Sequence, residues 1–217
     1  MTSTFVPMNA MDDGERGKGR IGVMGGTFDP IHYGHLFAAE FARAAIPLDR
    51  VVFVPSGSPP HKKYPSMAGA EDRYAMTSLA IRGNPFFEVS RIETDRRGPS
   101  YTVDTLSMFR GAMPGAALFL ITGLDAALDI PNWYEPLEIL SLCTVVVVAR
   151  PGYVRDKINK LNEALGDSFV ALDTELIDIS ATEIRNRALS GKCIRYMTPD
   201  VVCDYITQKK LYSGMEA

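Results

Sequence analysis

Cysteine is scarce in this chain, with only three among 217 residues. Cys143, Cys193 and Cys203 are far apart, odd in number and without a CxxC pair, which argues against both a disulfide framework and a zinc site. Such usage fits a reducing, cytoplasmic setting. Long apolar runs are lacking too. The longest, residues 142–149, falls far short of the roughly 20 residues that cross a bilayer. There is no basic excess either: the formal charge is −3 and the pI about 5.7. Without a concentrated basic face or an aromatic-basic stripe, broad binding to DNA or RNA is excluded, so any recognition of phosphate has to be local. The first 19 residues contain no apolar signal-peptide core and are rich in Gly, Asp, Met and Arg. They read as a disordered leader, leaving 20–217 as a single domain.

What is present is the composition of an ordinary globular chain, 46% hydrophobic and 23% charged, large enough to bury one core. Strand-like apolar runs at 21–24, 50–55, 87–90, 117–122, 143–149 and 168–172 alternate with helical patterns at 34–45, 69–82, 102–110, 153–165 and 180–189. That alternation predicts an α/β fold with a parallel sheet. The run Thr144-Val145-Val146-Val147-Val148 is apolar without alternation, as a strand covered on both faces should be. Leu36 to Ala42 is apolar nearly all round, which predicts a helix buried against the sheet. Thr198-Pro199 reads as an N-cap followed by a first-turn proline, opening a last helix to about Thr207. Gly17 to Gly22 matches GxGxxG but precedes a strand where a dinucleotide fingerprint would follow one, so it is read as coincidence.

The richest segment is Gly25-Gly26-Thr27-Phe28-Asp29-Pro30-Ile31-His32-Tyr33-Gly34-His35-Leu36, directly after the first strand. Bare glycines let the backbone approach phosphate oxygens, and the free N–H groups of a following helix favour an anion. His32 and His35 stand where imidazole N–H groups can donate to oxygens that gain charge during phosphoryl transfer. Asp178-Ile179-Ser180-Ala181-Thr182-Glu183-Ile184-Arg185 supplies hydroxyls and a guanidinium at a helix start. Ser180 with Glu183 also reads as a plain capping box. Three further stretches remain open between site and surface: Pro55 to Lys62, a proline-stiffened loop with Pro60, His61 and Lys62; Pro99 to Leu106, with Tyr101 and Thr102 at a helix start; and Gly123-Leu124-Asp125, whose acid is either a ribose acceptor or a turn residue. Trp133, the single tryptophan, beside Tyr134, either stacks on a flat ring or packs in the usual way. Arg150 ends the valine strand.

HxGH behind a GGTFDP loop resembles the signature of the nucleotidyltransferase superfamily, and the segment as a whole is most similar to the nicotinate mononucleotide adenylyltransferase family of bacteria. The ISAT stretch with Arg185 is similar to the superfamily's ISSTxxR motif, with Ala181 in place of a serine. The PPHK, SYTxDTL, GLD and ARPG elements resemble that family's in the same order, over about residues 21–190. The resemblance implies a Rossmann-like doubly wound parallel sheet of nucleotidyltransferase type, an enzyme. ATP and nicotinate mononucleotide would give deamido-NAD and pyrophosphate, with Mg2+ arriving on ATP. It further implies that Gly25, Gly26, Thr27, Phe28, His32, His35, Gly123, Asp125, Ser180, Thr182 and Arg185 bind ATP. His32, His35 and Arg185 would carry the catalysis, and Pro60, His61, Lys62, Tyr101, Thr102, Trp133, Tyr134 and Arg150 would bind the mononucleotide. Other acceptors, nicotinamide mononucleotide among them, a non-catalytic nucleotide sensor and a homo-oligomer stay open at this point.

Overall fold

The computed structural model describes residues 19–58, 67–150, 154–175 and 177–213. The expectations for the leader up to residue 18, for Pro60, His61 and Lys62, and for Pro151 and Gly152 lie outside the described residues. Six strands, β1 (Arg20–Gly26), β2 (Arg50–Pro55), β3 (Phe87–Val89), β4 (Ala117–Gly123), β5 (Thr144–Ala149) and β6 (Phe169–Asp173), form one sheet in the order β3-β2-β1-β4-β5-β6. Every pairing is parallel. The chain runs outward from β1 to one edge and then crosses back to β4, so the strand order reverses between β1 and β4. Ligands of such sheets sit outside the carboxyl ends of the strands at that reversal.

The alternation of side chains along each strand divides the core into two layers. Val145 and Val147 pack with Leu120, Val23 and Val54 on one face, under α3 (Thr102–Ala112), α4 (Leu124–Asp129), α5 (Pro136–Leu142) and α6 (Val154–Leu165). Val146 and Val148 pack with Ile121, Met24 and Phe53 on the other, under α1 (Tyr33–Ala45), α2 (Ala70–Ile81), α7 (Ala181–Leu189) and α8 (Asp200–Gln208). The unbroken valine run of β5 therefore marks a strand buried on both sides, as its sequence predicts. Gly22 of the GxGxxG match lies inside β1 and opens no helix.

Several local expectations need correction. The paired glycines end β1, as the sequence reads, so the strand runs two residues past its apolar run 21–24. In α1 only Ala39 and Ala42 are fully buried, because a neighbouring sheet covers one stripe of a helix and leaves Phe37 and Phe41 to stack on each other at 6.1 Å. Cys143 closes α5 instead of opening β5. The hydroxyl of Thr198 does not cap α8: it donates 2.7 Å to the carbonyl of Ile31, and Pro199 occupies the cap. The helical stretch between β4 and β5 is absent from the sequence reading. Its short pieces, α4, a single 3-10 turn at Ile130–Asn132 and α5, are each too brief to show a helical period.

Candidate active site

Gly25 and Gly26 pair in register with Val54 and Pro55, which brings the exits of β1 and β2 level. The space where a Gly25 side chain would stand is open. Beyond Gly26 the chain turns sharply through Phe28, whose φ of 48° is left-handed, and its ring meets His35 edge-on at 5.1 Å. His32 precedes α1 in an extended conformation, and its N–H donates to Nδ1 of His35 at 3.3 Å. As an acceptor that nitrogen carries no proton, so the donor of the neutral His35 ring is Nε2. The two imidazoles stack with centroids 3.7 Å apart and planes 26° apart. His32 is only 7% exposed, its Nδ1 has no hydrogen-bond partner among the described residues, and burial pushes its pKa down to about 4. A neutral ring of this kind can donate to an oxyanion, and an arriving phosphate raises its proton affinity.

The α7 arginine reaches the same loop across the molecule. Arg185 donates from Nη1 to the carbonyl of Asp29 at 2.7 Å and from Nη2 to Oγ1 of Thr182 at 3.1 Å. The structure thus brings His32, His35, Thr182 and Arg185 around one junction, Asp29. Ser180 is the N-cap of α7, its Oγ accepting from Glu183 N–H at 3.1 Å. Glu183 itself turns to Arg187, 3.7 Å away, so only half of the capping box forms. Gly123 ends β4 beside β1 and caps α4, which carries the exposed Asp125 in its first turn. Arg150, at the end of β5, pairs with Asp178 at 3.3 Å just before α7.

A second group of residues borders the exit of β2. The rings of Tyr101 and Tyr134 meet at 4.7 Å, and Thr102 begins α3. Trp133 is half-buried against the core, its indole N–H bonded to Asp129 at 3.1 Å. Ser100 does not cap α3: its Oγ accepts from the N–H groups of Gly57 and Ser58 at 3.1 and 3.2 Å. It also bonds to Glu93, whose carboxyl is pushed up by burial and drawn back by Thr105, Ser100, Arg96 and Arg73. Gly57 has to be glycine here, since a methyl group would meet the Glu93 carbonyl at 2.1 Å.

Sequence reasoning missed Arg73. Fully buried, it donates to Thr27 O at 2.8 Å, Ala68 O at 3.1 Å, Gly57 O at 3.2 Å and Ser56 Oγ at 3.4 Å. It thereby ties the β1 exit to the β2 exit. An arginine within an ordinary helix offers no local signal of this, because the partners that link the two strand exits, Thr27 and Gly57, lie 46 and 16 residues away.

A doubly wound parallel sheet, with a glycine-ended first strand, a histidine pair and an arginine at its strand reversal, defines a Rossmann-type nucleotide-binding transferase. The pattern of the family described as cytidylyltransferase-like matches residues 23–187. A probable nicotinate-nucleotide adenylyltransferase of Corynebacterium kroppenstedtii is 48% identical over 193 residues, 89% of this chain and 90% of that protein. One from Moorella thermoacetica is 46% identical over 202 residues, 89% and 92% of the two chains. Among solved structures, the Plasmodium falciparum nicotinic acid mononucleotide adenylyltransferase complexed with NaAD superposes with a TM-score of 0.74. At 18% identity, it covers 89% of this chain and 97% of that one, and so shares its fold. The chain belongs to the cytidylyltransferase-like family and, within it, to the nicotinate-nucleotide adenylyltransferases.

Proposed function

We infer that this protein transfers the adenylyl group of ATP to nicotinate mononucleotide, giving deamido-NAD and pyrophosphate. The observation that carries the reading is the junction at Asp29, where a stacked histidine pair and Arg185 face the open end of β1 at the strand reversal. Family membership supplies the identity of the acceptor. The 5′-phosphate of the mononucleotide attacks the α-phosphorus of ATP in line. One P–O bond forms as the bond to the bridging oxygen of the β-phosphate breaks, and pyrophosphate leaves with the electron pair. The attacking oxygen is already ionised at neutral pH, so no strong base is needed. Catalysis rests on positioning and on charge stabilisation.

In this reading Gly25, Gly26, Thr27 and Phe28 would line the triphosphate. Nε2 of His35 and the ring of His32 would donate to the α- and β-phosphate oxygens. Thr182 and Arg185, with the N-terminus of α7, would hold the departing pyrophosphate. The capped hydroxyl of Ser180 would act mainly by fixing that helix start. Gly123 and Asp125 would meet the ATP ribose. Tyr101, Thr102, Trp133, Tyr134 and Arg150 would form the mononucleotide side, with Trp133 and its neighbours against the pyridine ring. Among the described residues no group of three His, Cys, Asp or Glu side chains is arranged to hold a metal. Mg2+ would therefore enter on the phosphates of ATP, keeping water in its shell. The test is turnover of the His35→Ala variant: the account expects a loss of about 100-fold or more with the fold intact, the scale of removing a preorganised oxyanion donor. Near-normal turnover would sink the assignment.

A further inference from the structure

We propose that Tyr212, far from the motifs in sequence, is a positioning residue that holds Arg185 in its phosphate-facing place through Asp29. The inference rests on the reading of the site given above. The loop between β1 and α1 has no ladder of its own and turns through a left-handed Phe28, so outside contacts must hold it. Several of those contacts come from the C-terminal segment. Met197 O accepts from Tyr33 N–H at 3.1 Å, Thr198 Oγ1 donates to Ile31 O at 2.7 Å, and the Tyr212 hydroxyl donates to Asp29 Oδ1 at 2.6 Å. Ala68 N–H adds another, also to Asp29 Oδ1, at 3.1 Å, and Arg73 holds Thr27 O at 2.8 Å.

Asp29 is 2% exposed, and a carboxylate so buried requires donors. The tyrosine bond orients it. Its other oxygen then lies 3.9 Å from Nη1 of Arg185, the same nitrogen that donates to the Asp29 carbonyl. Where Asp29 sits therefore decides where the guanidinium sits. Tyr212 is itself buried, in the same core layer as Ile184 of α7. Its φ of 59° is rare for a side chain of this size.

The experiment is calorimetric titration of the full-length protein with ATP and Mg2+, comparing Tyr212→Phe in two backgrounds, native and Arg185→Ala. Phenylalanine keeps the ring and removes only the hydroxyl. The expected result is ATP binding weakened about tenfold in the native background and by less than about twofold beside Arg185→Ala, since residues acting as one unit are not additive. Nicotinate mononucleotide turnover should fall about as much, with its KM unchanged. Equal weakening in both backgrounds, with a lowered melting temperature, would mean a merely structural role and overturn the proposal. Unchanged ATP affinity in the native background would overturn it as well. ATP titration needs no acceptor, so failure of the native protein to turn over nicotinate mononucleotide would refute the acceptor assignment separately.

Discussion

Gly34→Ala is a small change that should separate catalysis from stability. Gly34 is the second residue of α1, and a methyl group placed there would lie 3.0 Å from Nδ1 and 3.1 Å from Cε1 of His32, and 3.4 Å from Ile177 O. Optimal carbon contacts fall at about 3.5–4.0 Å, so the imidazole must retreat by roughly half an ångström. It has little room, being 7% exposed and stacked on His35 at 3.7 Å. Helix propensity acts in the opposite sense, favouring alanine over glycine by up to about 1 kcal/mol. Crowding of this size costs about the same. Net stability should then change by less than about 1 kcal/mol, a shift of no more than roughly 2–4 °C in Tm for a chain this long. Catalysis has no offsetting gain. A misplacement of about 1 Å can cost 100-fold, so half that displacement should lower kcat about tenfold. Pyrophosphate release at saturating ATP and nicotinate mononucleotide, with thermal melting on the same preparations, measures both. Native turnover by Gly34→Ala would refute the steric reasoning, and a fall of 10 °C or more would refute the energetic half.

Two further outcomes follow from the buried side chains of His32 and Arg73. His32 titrates near 6.5 when unfolded and about 4 when folded. As pH falls below 6.5 the unfolded chain takes up the proton first, so stability present at neutral pH is lost on the way down, by about 2 kcal/mol at pH 5. Urea unfolding at pH 7 and pH 5 should show that extra loss in the native protein but not in His32→Asn; equal losses would contradict the burial. Arg73→Lys keeps the charge but replaces a fork of donors with one ammonium, stranding at least one of the carbonyls of Thr27, Gly57 and Ala68. Urea unfolding should register a loss of about 3 kcal/mol, and a loss below about 1 kcal/mol would show that the fork is not needed.

How much of this was readable beforehand depended on how local the signal was. The six strands and most of the helices flanking them announced themselves through apolar runs and periodicity, α4 and α5 being too short to do so, and the parallel sheet followed from their alternation. The loop after β1 drew attention because glycines and histidines have few other reasons to cluster at a strand end. The half-realised capping box at Ser180 illustrates a limit: the same residues serve as cap and candidate phosphate contact, and sequence cannot apportion the hydroxyl. Arg73, Glu93 and Tyr212 were invisible for a different reason. Arg73 reaches Thr27, Glu93 meets Thr105 of the following helix, and Tyr212 bonds to Asp29 at the other end of the chain, and no spacing rule encodes contacts that only the finished fold creates. Thr198 was misread for the same reason, its hydroxyl being drawn to Ile31 in place of its own helix.

Pyrophosphate release by the purified protein, given ATP and Mg2+ with nicotinate mononucleotide or nicotinamide mononucleotide side by side, tests the central claim most directly. The account predicts rapid release with the acid, with deamido-NAD as the product, and little with the amide. Release with the amide alone, or with neither, would contradict it.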